Sequence, residues 1–166
     1  MEIGKFEPIK WDYQDISYGP DNSQVFDIKI PKDKKAAPGI VYIHGGAYLV
    51  GDKSEYLSFL TDFAKDNVVA TINYRVIKEN NFINIRDMIL DINSALFKIA
   101  ELSKENGVYI ENFILVGHSA GGLITPGGSG DNHNLGGVVY AANTPFVFEK
   151  QAWVREAVEW MEGYLG

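Results

Sequence analysis

Apolar residues in this chain fall into short continuous runs, interrupted by one long stretch with helical spacing. Lys10 to Ser17 and Val25 to Ile30 read as two strands joined by the turn Gly19-Pro20-Asp21-Asn22. They are expected to form a hairpin at a sheet edge. Ala36-Ala37-Pro38-Gly39 reads as a break. Ile40-Val41-Tyr42-Ile43 follows as an uninterrupted apolar strand, the kind buried on both faces of a parallel sheet. Ser54 is expected to cap a helix running to about Lys65, with Tyr56, Leu57, Leu60, Phe63 and Ala64 on one side. Val68 to Tyr74 reads as the next strand. From Ile85 to Glu105, the positions of Ile85, Met88, Ile89, Ile92, Ala95, Leu96, Ile99 and Leu102 predict one long helix, ended by Asn106-Gly107. Phe113 to Val116 and Gly137 to Ala142 read as strands, and Lys150 to Leu165 as a final helix. This alternation predicts a three-layer α/β/α sandwich in one domain spanning residues 1–166. Its sheet is expected to be mostly parallel, of about six strands, with an antiparallel N-terminal hairpin. No internal repeat is visible.

Composition narrows the partners. A chain of 166 residues with 46% hydrophobic residues can bury a real core. The formal charge of −7 argues against a phosphate-backbone partner. The basic cluster Lys32, Lys34 and Lys35, interrupted by Asp33, reads as a solvated turn. There is no cysteine, which excludes disulfides, thiolate catalysis and cysteine metal sites. The opening MEIGKFEPIKWDYQD does not read as a signal peptide. No apolar run reaches the roughly 18 residues needed to span a bilayer. The expectation is a cytoplasmic protein with neither a nucleic-acid nor a membrane partner.

Two motifs carry the chemistry. The apolar run Phe113-Ile114-Leu115-Val116 stops at Gly117-His118-Ser119-Ala120-Gly121, which fits G-x-S-x-G, the sharp strand-to-helix turn that lifts a serine hydroxyl clear of a sheet. Small residues are needed there because the chain packs too closely for side chains. The second motif, Ile43-His44-Gly45-Gly46-Ala47-Tyr48, lies at the end of an earlier strand. Sites in open α/β sheets gather at the carboxyl ends of strands, so the two motifs can face each other. Backbone N–H groups of Gly45, Gly46 or Ala47, together with that of Ala120, would then stabilise a developing oxyanion. His44, His118 and His133 lack the spacing of a zinc site, and the lysine of a phosphate loop is missing after Gly117 to Gly122. Acyl transfer through a serine needs no cofactor, and none is expected.

His44-Gly45-Gly46-Ala47 followed by Gly117-His118-Ser119-Ala120-Gly121-Gly122 resembles the α/β-hydrolase superfamily. It is most similar to the carboxylesterases and lipases related to hormone-sensitive lipase. The likeness covers about residues 10 to 124 and includes a strand ending in Asn73-Tyr74-Arg75. An alanine, Ala47, stands where many relatives have a third glycine, and it keeps the N–H. The resemblance implies that Ser119 is a nucleophile acting on small carboxylic esters through an acyl-enzyme. It also implies that His44 supports the oxyanion loop, and that acid and base follow the serine in chain order. His118, beside Ser119 on a sharp turn, is expected to be structural, as are Gly117 and Gly121.

Residues 120–166 contain one clear strand and one clear helix, where a full sheet of this superfamily would add two further strands. Pro126-Gly127-Gly128-Ser129-Gly130 should stop the helix after the serine almost at once. Residues 126–134 therefore read as a Gly-rich loop or a deletion junction, and the fold as a truncated or minimised α/β-hydrolase. His133 is the one histidine after Ser119 and the candidate base. The acid is unassigned: Asp131 lies too close to His133, and Glu149, Glu156, Glu159 and Glu162 read as a solvated helix face. Trp153, Val154, Ala157, Val158, Trp160, Met161 and Leu165 are expected to pack that helix on the sheet. Two readings stay open. One is a serine hydrolase of small esters. The other is an inactive or weakly active derivative lacking the acid and base strands, a binding or dimerisation module whose open sheet edge or swapped segment would favour a homodimer.

Overall fold

The computed structural model describes residues 8–55, 60–118, 120–124 and 138–142. Its strands are β1 (Tyr13–Ser17), β2 (Val25–Lys29), β3 (Ala36–Ile43), β4 (Val68–Ile72), β5 (Tyr109–His118) and β6 (Val138–Ala142). They form one sheet in the order β1-β2-β4-β3-β5-β6. β2 runs antiparallel to both β1 and β4, whereas β3, β4, β5 and β6 are mutually parallel. The antiparallel hairpin at one edge is as the turn signal predicts.

The helix α1 spans Ile85–Glu105, the bounds its periodicity predicts. A capping box starts it: the Asn84 side chain accepts from Asp87 N–H while the Asp87 carboxylate accepts from Asn84 N–H. Gly107 ends it at a φ of 86°, a left-handed position that suits glycine. Met88, Ile92, Ala95, Leu96 and Ile99 turn inward onto Phe26, Val41, Ile43, Ala70, Ile72 and Leu115 of the sheet. A short helix α2 (Ala120–Ile124) follows β5, and Ile124 joins the same cluster. The opposite face of the central strands, with Ile40, Tyr42, Val69, Thr71, Ile114 and Val116, is equally buried. Burial on both faces explains why these strands read as continuous apolar runs. The described residues show one helical layer, α1 with α2, and so give two of the three layers expected.

Four local expectations are corrected. The break at Ala36 to Gly39 is instead the first half of β3, and the strand passes Pro38 by shifting its register against β5 between Ala37 and Gly39. A side chain at Gly39 would crowd the Phe113 ring, so the glycine serves packing and not chain reversal. The helix expected from Ser54 to about Lys65 is not continuous: the Ser54 N–H and hydroxyl both bond the Asp52 carboxylate in a local turn, and among the described residues near Lys65 there is a 3-10 turn, Phe63–Lys65. Residues 56–59 lie outside the described residues. β1 begins at Tyr13 and not at Lys10, because the Asp12 carboxylate takes the Ile30 N–H in place of a ladder carbonyl. β4 stops at Ile72, two residues before Tyr74, as Asn73 turns its side chain to Lys53 and Asp52. The loop at 126–134 and the helix at Lys150 to Leu165 lie outside the described residues. Among the described residues, no helix is long and apolar enough to cross a membrane.

Candidate active site

The two motifs meet at the carboxyl ends of neighbouring parallel strands. Ile43, the last residue of β3, pairs with Gly117 of β5. Gly121, in the first turn of α2, rests against the carbonyl oxygens of Ile43 and His44, with no room for a side chain between them. Gly117 likewise lies against the backbone of Gly122. The glycines therefore do what the motif predicts: they let a helix start directly on the end of the neighbouring strand.

The loop after β3 is tightly wound. Gly46 has a φ of 129°, and a side chain on it would run into the Val50 carbonyl. Gly46 O accepts from the N–H groups of Leu49 (3.0 Å) and Val50 (3.1 Å), and Tyr48 O accepts from Ile77 N–H (2.8 Å). Ala47 and Tyr48 have φ values of 54° and 68°, so two residues with side chains occupy the left-handed region in succession. Each costs roughly 1–2 kcal/mol relative to an ordinary conformation. Ala47 keeps the N–H that the oxyanion role needs. The structure adds a backbone cost that a glycine at position 47 would avoid.

His44 is 1% exposed and faces its own loop. Its Nδ1 donates to Gly45 O at 2.7 Å, since a carbonyl can only accept. Its ring stacks on Tyr74 with centroids 4.4 Å apart and planes 11° from parallel. The Tyr74 hydroxyl donates to His44 O at 2.6 Å. Burial pushes the His44 imidazole below its ordinary value, so the ring is neutral. These contacts fit the supporting part expected of His44. His118, at the end of β5, is half-buried, and burial lowers its pKa as well.

A second set of polar residues, which motif reasoning does not reach, ties this loop to the sheet. Buried Lys53 donates to Asp27 at 2.8 Å and pairs with the exposed Asp15 at 3.0 Å. Its N–H reaches Asn73 Oδ1 (2.7 Å), and its carbonyl accepts from Thr71 Oγ1 (2.6 Å). Burial alone would lower the Lys53 pKa, but Asp27 and Asp15 outweigh it and raise it. Burial would raise the Asp52 pKa, but hydrogen bonds from Ser54 and Asn73 outweigh it and bring the value down to about 2. Buried Asp91 on α1 forms a two-pronged pair with Arg75 (2.7–3.1 Å) and accepts from Gln24. The one sequence signal for these residues is a charge inside an apolar stretch, as with Asp27 in VFDIK and Asp91 among Ile89, Leu90 and Ile92.

Of the sequence-predicted site residues, the structure brings together His44, Gly45, Gly46, Ala47, Gly117, Ala120 and Gly121. Ala120 is buried at the start of α2. Ser119, Asp131, His133, Glu149, Glu156, Glu159 and Glu162 lie outside the described residues. No cluster of histidine and carboxylate side chains suited to a metal occurs among the described residues.

Comparison with known proteins gives the following likenesses. The family model BD-FAE matches residues 26–160. Esterase LipI of Mycobacterium tuberculosis is 27% identical over 108 residues, which cover 64% of this chain and 33% of LipI. The chain thus spans about a third of the length of this curated relative. Esterase B of Lactobacillus rhamnosis, solved with a tributyrin phosphonate inhibitor, aligns with a TM-score of 0.58 at 23% identity, covering 68% of this chain and 37% of the other. Thermogutta terrifontis esterase 2, phosphoramylated by tabun, aligns with a TM-score of 0.60 at 19% identity, covering 91% and 64%. At these identities the two structures speak to fold.

Proposed function

The chain belongs to the BD-FAE family and shares the α/β-hydrolase fold of esterases, and from that premise we propose that it carries the nucleophile and oxyanion parts of a serine esterase site for small carboxylic esters. The observation that carries this reading is the seat of Gly121 on the Ile43 and His44 carbonyls. It holds the start of α2, which follows Ser119 in the chain, against the glycine loop, the juxtaposition that ester hydrolysis through a serine requires.

In this reading Ser119 Oγ attacks the ester carbonyl carbon as a base removes its proton. The carbonyl electron pair moves onto oxygen, and the resulting oxyanion accepts hydrogen bonds from Ala120 N–H and from one or two N–H groups of Gly45, Gly46 and Ala47. Collapse of this intermediate expels the alcohol with a proton and leaves an acyl-enzyme, which water hydrolyses. Each oxyanion donor is worth roughly 3 kcal/mol of transition-state stabilisation. His133 is the proposed base. His44 is not, because its Nδ1 is engaged by Gly45 O and its ring is buried in a stack on Tyr74. The buried second face of the sheet fits the third layer of the sandwich. The NYRV segment and the glycine loop fit the branch related to hormone-sensitive lipase.

The test pairs two measurements. A fluorophosphonate should add one phosphonyl mass at Ser119 of the parent and none to Ser119→Ala, and p-nitrophenyl acetate and butyrate turnover should vanish in the same variant. Unchanged turnover in folded Ser119→Ala would remove Ser119 from the reaction. If His133 is the base, His133→Ala must lower turnover by about a thousandfold or more, and the parent rate must rise as pH passes about 6.5. A variant within tenfold of the parent would exclude His133.

A further inference from the structure

The three peptide planes of the glycine loop that carry candidate oxyanion donors each present a carbonyl on the side opposite the N–H. A trans peptide is planar, so fixing the carbonyl direction fixes the N–H direction. Each of the three carbonyls has its own anchor. Gly46 O, in the plane of Ala47 N–H, is held by the backbone N–H groups of Leu49 and Val50. Gly45 O, in the plane of Gly46 N–H, is held by His44 Nδ1 at 2.7 Å. His44 O, in the plane of Gly45 N–H, is held by the Tyr74 hydroxyl at 2.6 Å.

We propose that Tyr74 is a positioning residue that aims the Gly45 N–H at the oxyanion site through the His44 carbonyl, while its ring holds the imidazole that aims the next donor. The inference rests on the esterase reading above, because it gives the loop N–H groups their task. Three observations support it. Tyr74 is 2% exposed and lies two residues past the end of β4, between Asn73, whose N–H bonds Val25 O, and Arg75, whose N–H bonds the Asp91 carboxylate, so its backbone is held on both sides. The parallel stack on His44 leaves the phenol ring little freedom to swing. Burial raises the pKa of the phenol well above its ordinary value, so the hydroxyl keeps its proton and remains a donor throughout the pH range in which the protein would work. One side chain thereby steadies two of the loop's three donors, one directly and one through His44.

Tyr74→Phe removes the hydroxyl and keeps the ring. In the parent, the backbone N–H order parameters of Gly45, Gly46 and Ala47 should all be near the rigid value of about 0.85. In Tyr74→Phe, that of Gly45 should fall while those of Gly46 and Ala47 hold. The rate of fluorophosphonate addition at Ser119 should drop by about ten- to a hundredfold, a large part of the effect of losing one donor. An unchanged Gly45 amide in Tyr74→Phe would overturn the proposal. So would a Gly45 order parameter below about 0.6 in the parent, a measurement that does not depend on the variant folding. A parent that takes no label at Ser119 would sink the esterase reading instead, and the amide comparison would still decide whether Tyr74 holds the plane.

Discussion

Replacing Gly121 with alanine sets two effects of opposite sign against each other. Gly121 lies inside α2, where alanine is favoured over glycine by about 1 kcal/mol. Propensity alone therefore predicts a more stable protein. The added methyl, however, would overlap the carbonyl oxygens of both Ile43 and His44. These are backbone atoms at the end of a strand paired on both sides, so no side-chain rotation relieves the clash. The start of α2 must lift away from β3, and forcing atoms into a filled site costs typically 1–3 kcal/mol, sometimes more. The steric cost prevails, and Gly121→Ala should lose up to about 2 kcal/mol net. For a domain of this size, each kcal/mol shifts Tm by about 2–4 °C. Gly107→Ala is the control. No atom stands within 4 Å of the added methyl, and only the φ of 86° opposes it. Thermal and urea unfolding would report both variants, and fluorophosphonate labelling would report the site. Gly107→Ala should leave labelling unchanged, and Gly121→Ala should slow it. A Gly121→Ala protein about 1 kcal/mol more stable than the parent would refute the reasoning, because it would mean that α2 does not rest on the end of β3.

Ala47→Gly should relieve a left-handed alanine and raise stability by about 0.5–1 kcal/mol, the remainder after glycine's extra unfolded-state entropy is subtracted; a lower Tm in the variant would show that the φ of 54° carries no strain. Asp52 has its folded pKa depressed from 3.8 to about 2. Its contribution is therefore fully present above about pH 4 and is lost as pH falls toward 2. Asp52→Asn should be less stable than the parent at pH 7, with a gap that narrows near pH 2.5; urea midpoints that differ equally at both pH values would contradict this.

Local order explains what the sequence made legible. The helix at Ile85–Glu105 could be placed because its apolar face and its terminators lie in one contiguous stretch. The central strands were visible because burial on both faces leaves an unbroken apolar run. The glycines of both motifs were legible because backbone contact leaves few alternatives. The errors arose where one residue type supports two outcomes. Pro38 suggested a break, yet a register shift carries it inside β3. The spacing of Leu60 and Ala64 resembled a helix face, but the chain turns at Thr61 and Asp62, and Asp52 captures the Ser54 N–H and hydroxyl in a turn. The site's supports were illegible for a different reason. Tyr74 meets His44, Lys53 meets Asp27, and Arg75 meets Asp91 only after the sheet and α1 have assembled, and no periodicity in one chain encodes such pairs.

The strand order also bears on how the molecule comes together in time. β3 lies between β4 and β5, but β5 is reached only after β4 and the whole of α1 have passed. A sheet built from such distant pairings has a high contact order and folds slowly. During synthesis at the ribosome, one long edge of β3, with its apolar stretch Ile40 to Ile43, stays unpaired until the chain beyond His118 has emerged. An exposed, β-branched edge of this kind is the template on which nascent chains associate wrongly. The strand that leads into the serine motif is thus also the one that closes this hazard, so bringing the two motifs together and protecting the newborn chain from aggregation are the same folding event.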